Sequence, residues 1–334
     1  MDSEHPAPFA KSMGAFRNEE LGHDIDISPA DAHIPWIDNH THAHTLSWDD
    51  RHKFDLGGGF AVVCIASTAH YAPYRPMGPE EVRRQWDDTI RQAHIIDRSH
   101  LFEPYVATGI HTLVKKPNWE ELIDVLPEYA ALDEVVAIGE TGIDHIQYGE
   151  PWPLEGQKAV IEAQMEVARD AALPVLCHTP SISKGEGKWS LPKTEEGGDL
   201  AEPIFESENP KLTAVEIDLE LKDSAGLADE QLVFNHGHPS IAEFVLESTD
   251  CYLSVSTGQW IRSTDSEDIA EIIETYGPDK VMVDTDTAGL VQTDKFAMRR
   301  TIIELIQRGI PAEDVRKVVY ENPREVLGLT HLPE

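Results

Sequence analysis

Short runs of consecutive apolar residues recur along the chain, separated by longer stretches in which apolar residues return every three or four positions. The runs are Ile34–Ile37, Phe60–Ala66, Tyr105–Ile110, Val135–Gly139, Pro174–Cys177, Leu232–Phe234, Tyr252–Val255 and Val281–Val283. They are continuous rather than alternating, the pattern of parallel strands covered on both faces. Between them, Ile269, Ile272, Ile273 and Tyr276 share one helical face. So do Met298, Ile302, Leu305 and Ile306, and so do Ile161, Met165, Ala168 and Ala172. Pro79 followed by Glu80 and Glu81 marks a helix start, with carboxylates at the positive end of the dipole. Strand and helix alternating eight times predict an α/β fold, a (β/α)8 TIM barrel. The alternative is a doubly wound open sheet. No Gly-x-Gly-x-x-Gly follows the first strand, which weighs against its dinucleotide-binding version.

Residues 1–33 are polar, acidic and broken by Pro6, Pro8 and Pro29, and read as an N-terminal extension to a barrel over 34–334. Residues 179–212, rich in Gly, Glu, Lys and Ser, follow the fifth strand and read as a long loop insertion on the face where strands end. Val215–Leu219 fits either an extra strand or an irregular connection.

Charge changes the picture of the surface. Lys plus Arg number 27 and Asp plus Glu 61, a net charge of −34, while 40% of residues are apolar. The apolar share excludes disorder, and the charge disfavours nucleic acid duplexes and anionic membranes as partners. The acidic excess runs along the whole chain and reads as halophilic, since at 1 M salt the Debye length is about 3 Å and dense carboxylates repel one another little. Cys64, Cys177 and Cys251 each sit in or beside an apolar run, which implies reduced thiols and a cytoplasmic location. No run approaches the roughly 18 apolar residues of a membrane span, and Met1–Phe16 lacks the apolar stretch of a signal peptide.

The candidate chemistry lies where strands end. In Ile37-Asp38-Asn39-His40-Thr41-His42, extended backbone puts His40 and His42 on one side, able to reach one metal. Asp38 shares that side and can hold a ring nitrogen. Glu140 closes the fourth strand, His178 the fifth and His236 the sixth, and Asp286 follows the eighth. One such histidine is ordinarily a hydrogen-bonded structural residue, and one such carboxylate a helix cap. Barrel strands converge on one face, and six residues together there point to a metal site. His70 follows the second strand and His111 the third, as candidates to meet substrate. His238 and Asp284 lie two residues from a ligand candidate and His145 follows the Glu140 motif, so all three can orient a ligand. Arg75, Lys184, Lys188 and Lys193 are scarce positive charges on loops of that face, able to meet a phosphate. The interleaved Glu186, Glu195 and Glu196 fit a plain solvated loop equally, and Trp189 is either a lid anchor or a packing residue.

Taken together, Asp38-x-His40-x-His42, Gly139-Glu140-Thr141-Gly142-Ile143-Asp144, Pro174-Val175 through His178, Asp284-Thr285-Asp286 and Asn322-Pro323 through Leu327-Gly328-Leu329 resemble the motifs of the TatD family. That family of metal-dependent hydrolases belongs to the amidohydrolase-like superfamily, and the likeness covers about residues 34 to 330, nearest an archaeal-type branch. It departs at His236-Gly237-His238, Gly109-Ile110-His111-Thr112 and Asp144-His145-Ile146. The resemblance implies two divalent cations, Zn, Mn, Co or Mg. His40, His42, Glu140 and Asp286 would hold one, and Glu140 would bridge to another on His178 and His236. It further implies a water activated by both metals, with Asp286 as base, attacking a phosphoester in the manner of a deoxyribonuclease or phosphodiesterase. A small phosphoester or a single-stranded DNA end suits this charge best. The alternatives are an amidohydrolase, lactonase or phosphotriesterase acting on a small molecule, and a metal-binding scaffold without catalysis.

Overall fold

The computed structural model describes residues 33–68, 76–145, 150–180, 204–258, 264–289 and 293–333, and the backbone of 183–185 and 188–190. Eight strands form one sheet in sequence order: β1 (Trp36–Thr41), β2 (Gly59–Ile65), β3 (Glu103–Thr108), β4 (Val135–Thr141), β5 (Val175–His178), β6 (Leu232–Asn235), β7 (Tyr252–Ser256) and β8 (Val281–Asp284). Each pairs with the next in parallel. Helices intervene: α1 (Trp48–Gly57), α2 (Pro79–Asp97), α3 (Glu120–Ala130), α4 (Leu154–Ala171), α5 (Pro210–Ala225), α6 (Pro239–Ser248), α7 (Ser266–Tyr276) and α8 (Ala297–Gln307). The short α9 (Ala312–Arg316) and α10 (Asn322–Val326) flank a π turn, Lys317–Glu321. This is a (β/α)8 barrel, and each predicted run became one of its strands. Val62, Ile138, Leu176, Val233, Phe234, Leu253 and Val283 are fully buried, each removing apolar surface from water at about 25 cal/mol per Å².

The first strand begins later than the sequence suggests and runs through Thr41, so His40 lies within it and His42 directly after it. The seam between β1 and β8 is closed just past the end of β8. The Asp286 N–H donates to the His40 carbonyl (2.9 Å) and the His42 N–H to the Thr287 carbonyl (2.8 Å). Asp38 reinforces it, accepting the Thr285 N–H (3.1 Å) on one oxygen and the Thr285 hydroxyl (2.5 Å) on the other.

Val215–Leu219 belongs to α5, neither a strand nor an irregular link. Asn209 caps this helix, Pro210 sits in its first turn, and Gly226 at φ 71° ends it. Within the insertion, Ser183–Gly185 pairs antiparallel with Lys188–Ser190. The extension up to residue 32, and 191–203 of the insertion, lie outside the described residues. Among those described, no helix is long and apolar enough to cross a membrane.

Candidate metal centre

His40 and His42 project from the end of β1 and are almost wholly buried. The His42 Nδ1 lies 3.2 Å from the Ile65 carbonyl, and as an N–H donor it leaves Nε2 facing Asp286 Oδ1 at 3.4 Å. His40 Nδ1 is paired with the Asn235 amide at the end of β6. Its Nε2 is buried without a hydrogen-bond partner. That atom faces Glu140 Oε2 at 3.8 Å and Asp286 Oδ1 at 3.7 Å. An imidazole nitrogen aimed between two carboxylates, too far from either for a hydrogen bond, is placed as a cation ligand would be.

Glu140, at the end of β4, is the hub. Its Oε1 lies 2.7 Å from His178 Nδ1 and 2.9 Å from His236 Nε2, and its Oε2 lies 3.6 Å from His111 Nε2. Burial pushes its pKa up, but His40, His178 and His111 outweigh that and hold the carboxyl well below the usual range. Burial pushes His178 down, while Glu140 and Asp144 raise it to about 9. A cation held by Glu140 and His178 would take the place of the His178 proton.

Backbone geometry sets the spacing. Gly142 has φ 131°, and a Cβ there would lie 2.4 Å from the His178 carbonyl oxygen, so only glycine lets the ends of β4 and β5 approach this closely. His236 and Asp286 adopt left-handed φ values of 58° and 46° as the chain leaves β6 and β8. The His236 ring is held by the Ser256 hydroxyl (2.9 Å), and its carbonyl accepts the Lys211 ammonium (2.8 Å). Lys211, itself buried, also donates to the Thr179 hydroxyl (2.6 Å), locking the ends of β5 and β6 together.

Three adjoining groups can each hold a metal ion: His40, His42 and Asp286; His40, Glu140 and His236; and His111, Asp144 and His178, with donor atoms in each within 4.8 Å of one another. All six expected ligands thus converge, and His111 joins them. The other candidates do different work. Asp38 holds Thr285 rather than serving as a ring partner. Asp284 accepts the Ser254 hydroxyl (2.6 Å). His238 caps α6, its Nδ1 accepting the Ser240 N–H (3.0 Å). His145 packs on Phe205, ring centroids 4.2 Å apart, and burial lowers its pKa. His70, Arg75 and Lys193 lie outside the described residues, as do the side chains of Lys184, Lys188 and Trp189. Sequence reasoning missed Asp144, 3.4 Å from His178 Nε2, although the motif containing it was in view. It also missed Lys211, Ser256 and Asn235, whose roles depend on contacts across the barrel.

Behind the centre, Asp218 of α5 is fully buried and accepts the Ile143 N–H (3.2 Å) and the Cys177 thiol (3.2 Å). Burial raises its carboxyl from 3.8 to about 7. Between those values the unfolded chain ionises while the folded one keeps its proton. Its contribution is therefore full below pH 3.8 and lost as pH rises to about 7. Asp218→Asn is expected to gain stability on the native protein progressively across that window, by up to ~4 kcal/mol, and to hold a constant lead above it. Thermal unfolding of both proteins from pH 5 to 8 reads this; a gap that does not change with pH excludes it.

A family model for TatD-related DNases matches residues 37–328. An uncharacterized metal-dependent hydrolase of Methanocaldococcus jannaschii is 27% identical over 290 residues, spanning 86% of this chain and 98% of that protein. A TatD-like protein from Archaeoglobus fulgidus superposes with a TM-score of 0.61 at 20% identity, over 88% of this chain and 100% of that one. A TatD homolog from Escherichia coli gives 0.58 at 16%, over 89% and 98%. The phosphotriesterase homology protein from Escherichia coli, solved with phosphate in its active site, gives 0.57 at 13%, over 88% and 99%. At these identities the structural likenesses speak for the fold.

Proposed function

The chain belongs to the TatD-related DNase family of metal-dependent hydrolases, and on that footing we propose that it hydrolyses a phosphoester using two divalent cations held at the strand ends. The observation that carries this reading is Glu140, whose two carboxylate oxygens face different sets of imidazoles: Oε1 meets His178 and His236, and Oε2 meets His40 and His111. His40, His42 and Asp286 would hold one cation, His178 and His236 the other, and Glu140 both. His111 and Asp144 flank the second. Imidazole mixed with carboxylate suits Zn, Mn or Co, and Mg less well. When bound, such a pair supplies a strong nucleophile at neutral pH and draws charge from the scissile group.

The protein's own groups do the rest. Asp286, beside His40 and His42, orients the attacking water and takes its proton. His111, at the edge of the hub, meets the scissile or leaving oxygen. Lys211 and Ser256 keep His236 from drifting as charge builds.

The substrate reading rests on charge. Arg51, Lys116 and Lys211 are buried on this side of the barrel and donate to backbone carbonyls, so they offer little to a row of phosphates. A small phosphoester, or a single-stranded DNA end reaching the metals directly, fits better than a duplex. Three buried thiols and the net charge of −34 support a reducing, salt-rich cytoplasm as the place of work.

A panel of a nitrophenyl phosphodiester, a single-stranded oligonucleotide, a phosphotriester, a lactone and a nitrophenyl carboxylate ester tests the reading on metal-loaded protein. The phosphodiester or the oligonucleotide is expected to lead in kcat/KM by about 100-fold, roughly 2.7 kcal/mol of transition-state preference. A lactone or carboxylate ester in the lead overturns it in favour of an amidohydrolase-like activity. Metal binding without turnover of any member supports the scaffold reading.

A further inference from the structure

We propose that His52, Asp55 and His100 form a separate site for a divalent transition-metal cation of the Zn class on the outer ring of the barrel. His52 and Asp55 stand three residues apart on α1 and so share a face. His100 comes from the link between α2 and β3, just before β3 begins. The site thus lies toward the end where strands start, whereas the hydrolytic centre uses the ends where they finish.

The donor geometry is converging and supported. His52 Nδ1 and His100 Nδ1 each lie 3.0 Å from the same oxygen, Asp55 Oδ2. The other oxygen, Oδ1, accepts the Leu101 N–H at 2.8 Å, which fixes the carboxylate plane. The three donor atoms lie within 4.8 Å of one another. Ligands at the usual ~2.0–2.1 Å from a tetrahedral Zn lie about 3.4 Å apart, a small adjustment from these separations. His100 is locked by stacking on Phe102 (centroids 5.5 Å apart) and by Trp48 (4.9 Å). Trp48 also packs edge-on against His52 at 5.4 Å.

Exposure provides the entrance. The side chains of His100 and Asp55 are 0% and 7% exposed, and that of His52 is 43%. A cation entering past His52 meets two preset ligands and completes its shell with water. Two imidazoles and one carboxylate select Zn, Cu, Ni or Co over Mg or Ca. Bound there, the ion pins α1 to the α2–β3 link.

The test is equilibrium dialysis of the full chain against Zn(II), followed by elemental analysis. Native protein is compared with His52→Ala and with His94→Ala, a control at another exposed histidine. His52→Ala is expected to hold one equivalent fewer than the native protein and the control, with hydrolysis unchanged in both variants. Cu(II) is expected to quench tryptophan fluorescence in the native protein, with that quenching reduced in His52→Ala and in Trp48→Phe. Equal metal counts and equal quenching in the native protein and His52→Ala overturn the proposal. Because the count is a difference between proteins sharing the strand-end centre, it stands or falls apart from the hydrolase reading.

Discussion

Glu140→Ala is expected to lower bound metal by about two ions per chain, leaving only an ion at the separate His52, Asp55 and His100 site, and to cut kcat/KM by at least ~10³, about 4 kcal/mol of transition-state stabilisation. His40, His111, His178 and His236 all face this one carboxylate. Without it each cation loses an anionic ligand, and imidazoles brought together by a negative charge are left facing one another. His178, raised to about 9 first against burial by Glu140, moves toward its ordinary value. Elemental analysis of native and variant protein purified in high KCl reads the metal, and circular dichroism checks that the barrel persists. A folded variant that binds as much metal as the native protein sinks the bridging role.

The second large effect is at Asp286. Asn is nearly isosteric and tolerates the left-handed backbone seen there, φ 46°, so Asp286→Asn removes the charge while leaving the turn in place. We expect kcat to fall by ~10²–10⁴ with KM within a few-fold, the signature of a group acting in the chemical step. A kcat near the native value, or a loss confined to KM, reduces Asp286 to a residue that merely supports the fold.

Much of this was legible in the sequence because a barrel reduces a three-dimensional question to a one-dimensional one. Strand ends share a face, so chemistry after apolar runs is enough to gather His40, His42, Glu140, His178, His236 and Asp286. What stayed hidden involves contacts that neither period nor spacing encodes. Asp38 looked like a ring partner from its side of the strand, yet the nearer claim is that of Thr285 across the seam. His238 sits beside a ligand in sequence, but Pro239 starts a helix and the imidazole becomes its cap. Val215, Ile217, Leu219 and Leu221 alternate with polar residues as a strand would. The buried positions follow a helical period instead, Ala214, Val215, Asp218, Leu221, Lys222 and Ala225. The pattern misleads because one of those core positions is an aspartate, kept there for the Ile143 N–H and the Cys177 thiol.

The β1–β8 seam has a consequence for biosynthesis. His42 donates its backbone N–H to Thr287, and Asp286 donates its own to His40, so residues proposed to share one cation come from both ends of the barrel's connectivity. At a ribosomal rate of ~5–20 residues per second, tens of seconds separate the emergence of His42 from that of Asp286. Throughout that interval the nascent chain carries exposed histidines with no competent hydrolytic centre. On the proposed function, turnover can begin only once Asp286 has been made and has joined the end of β1.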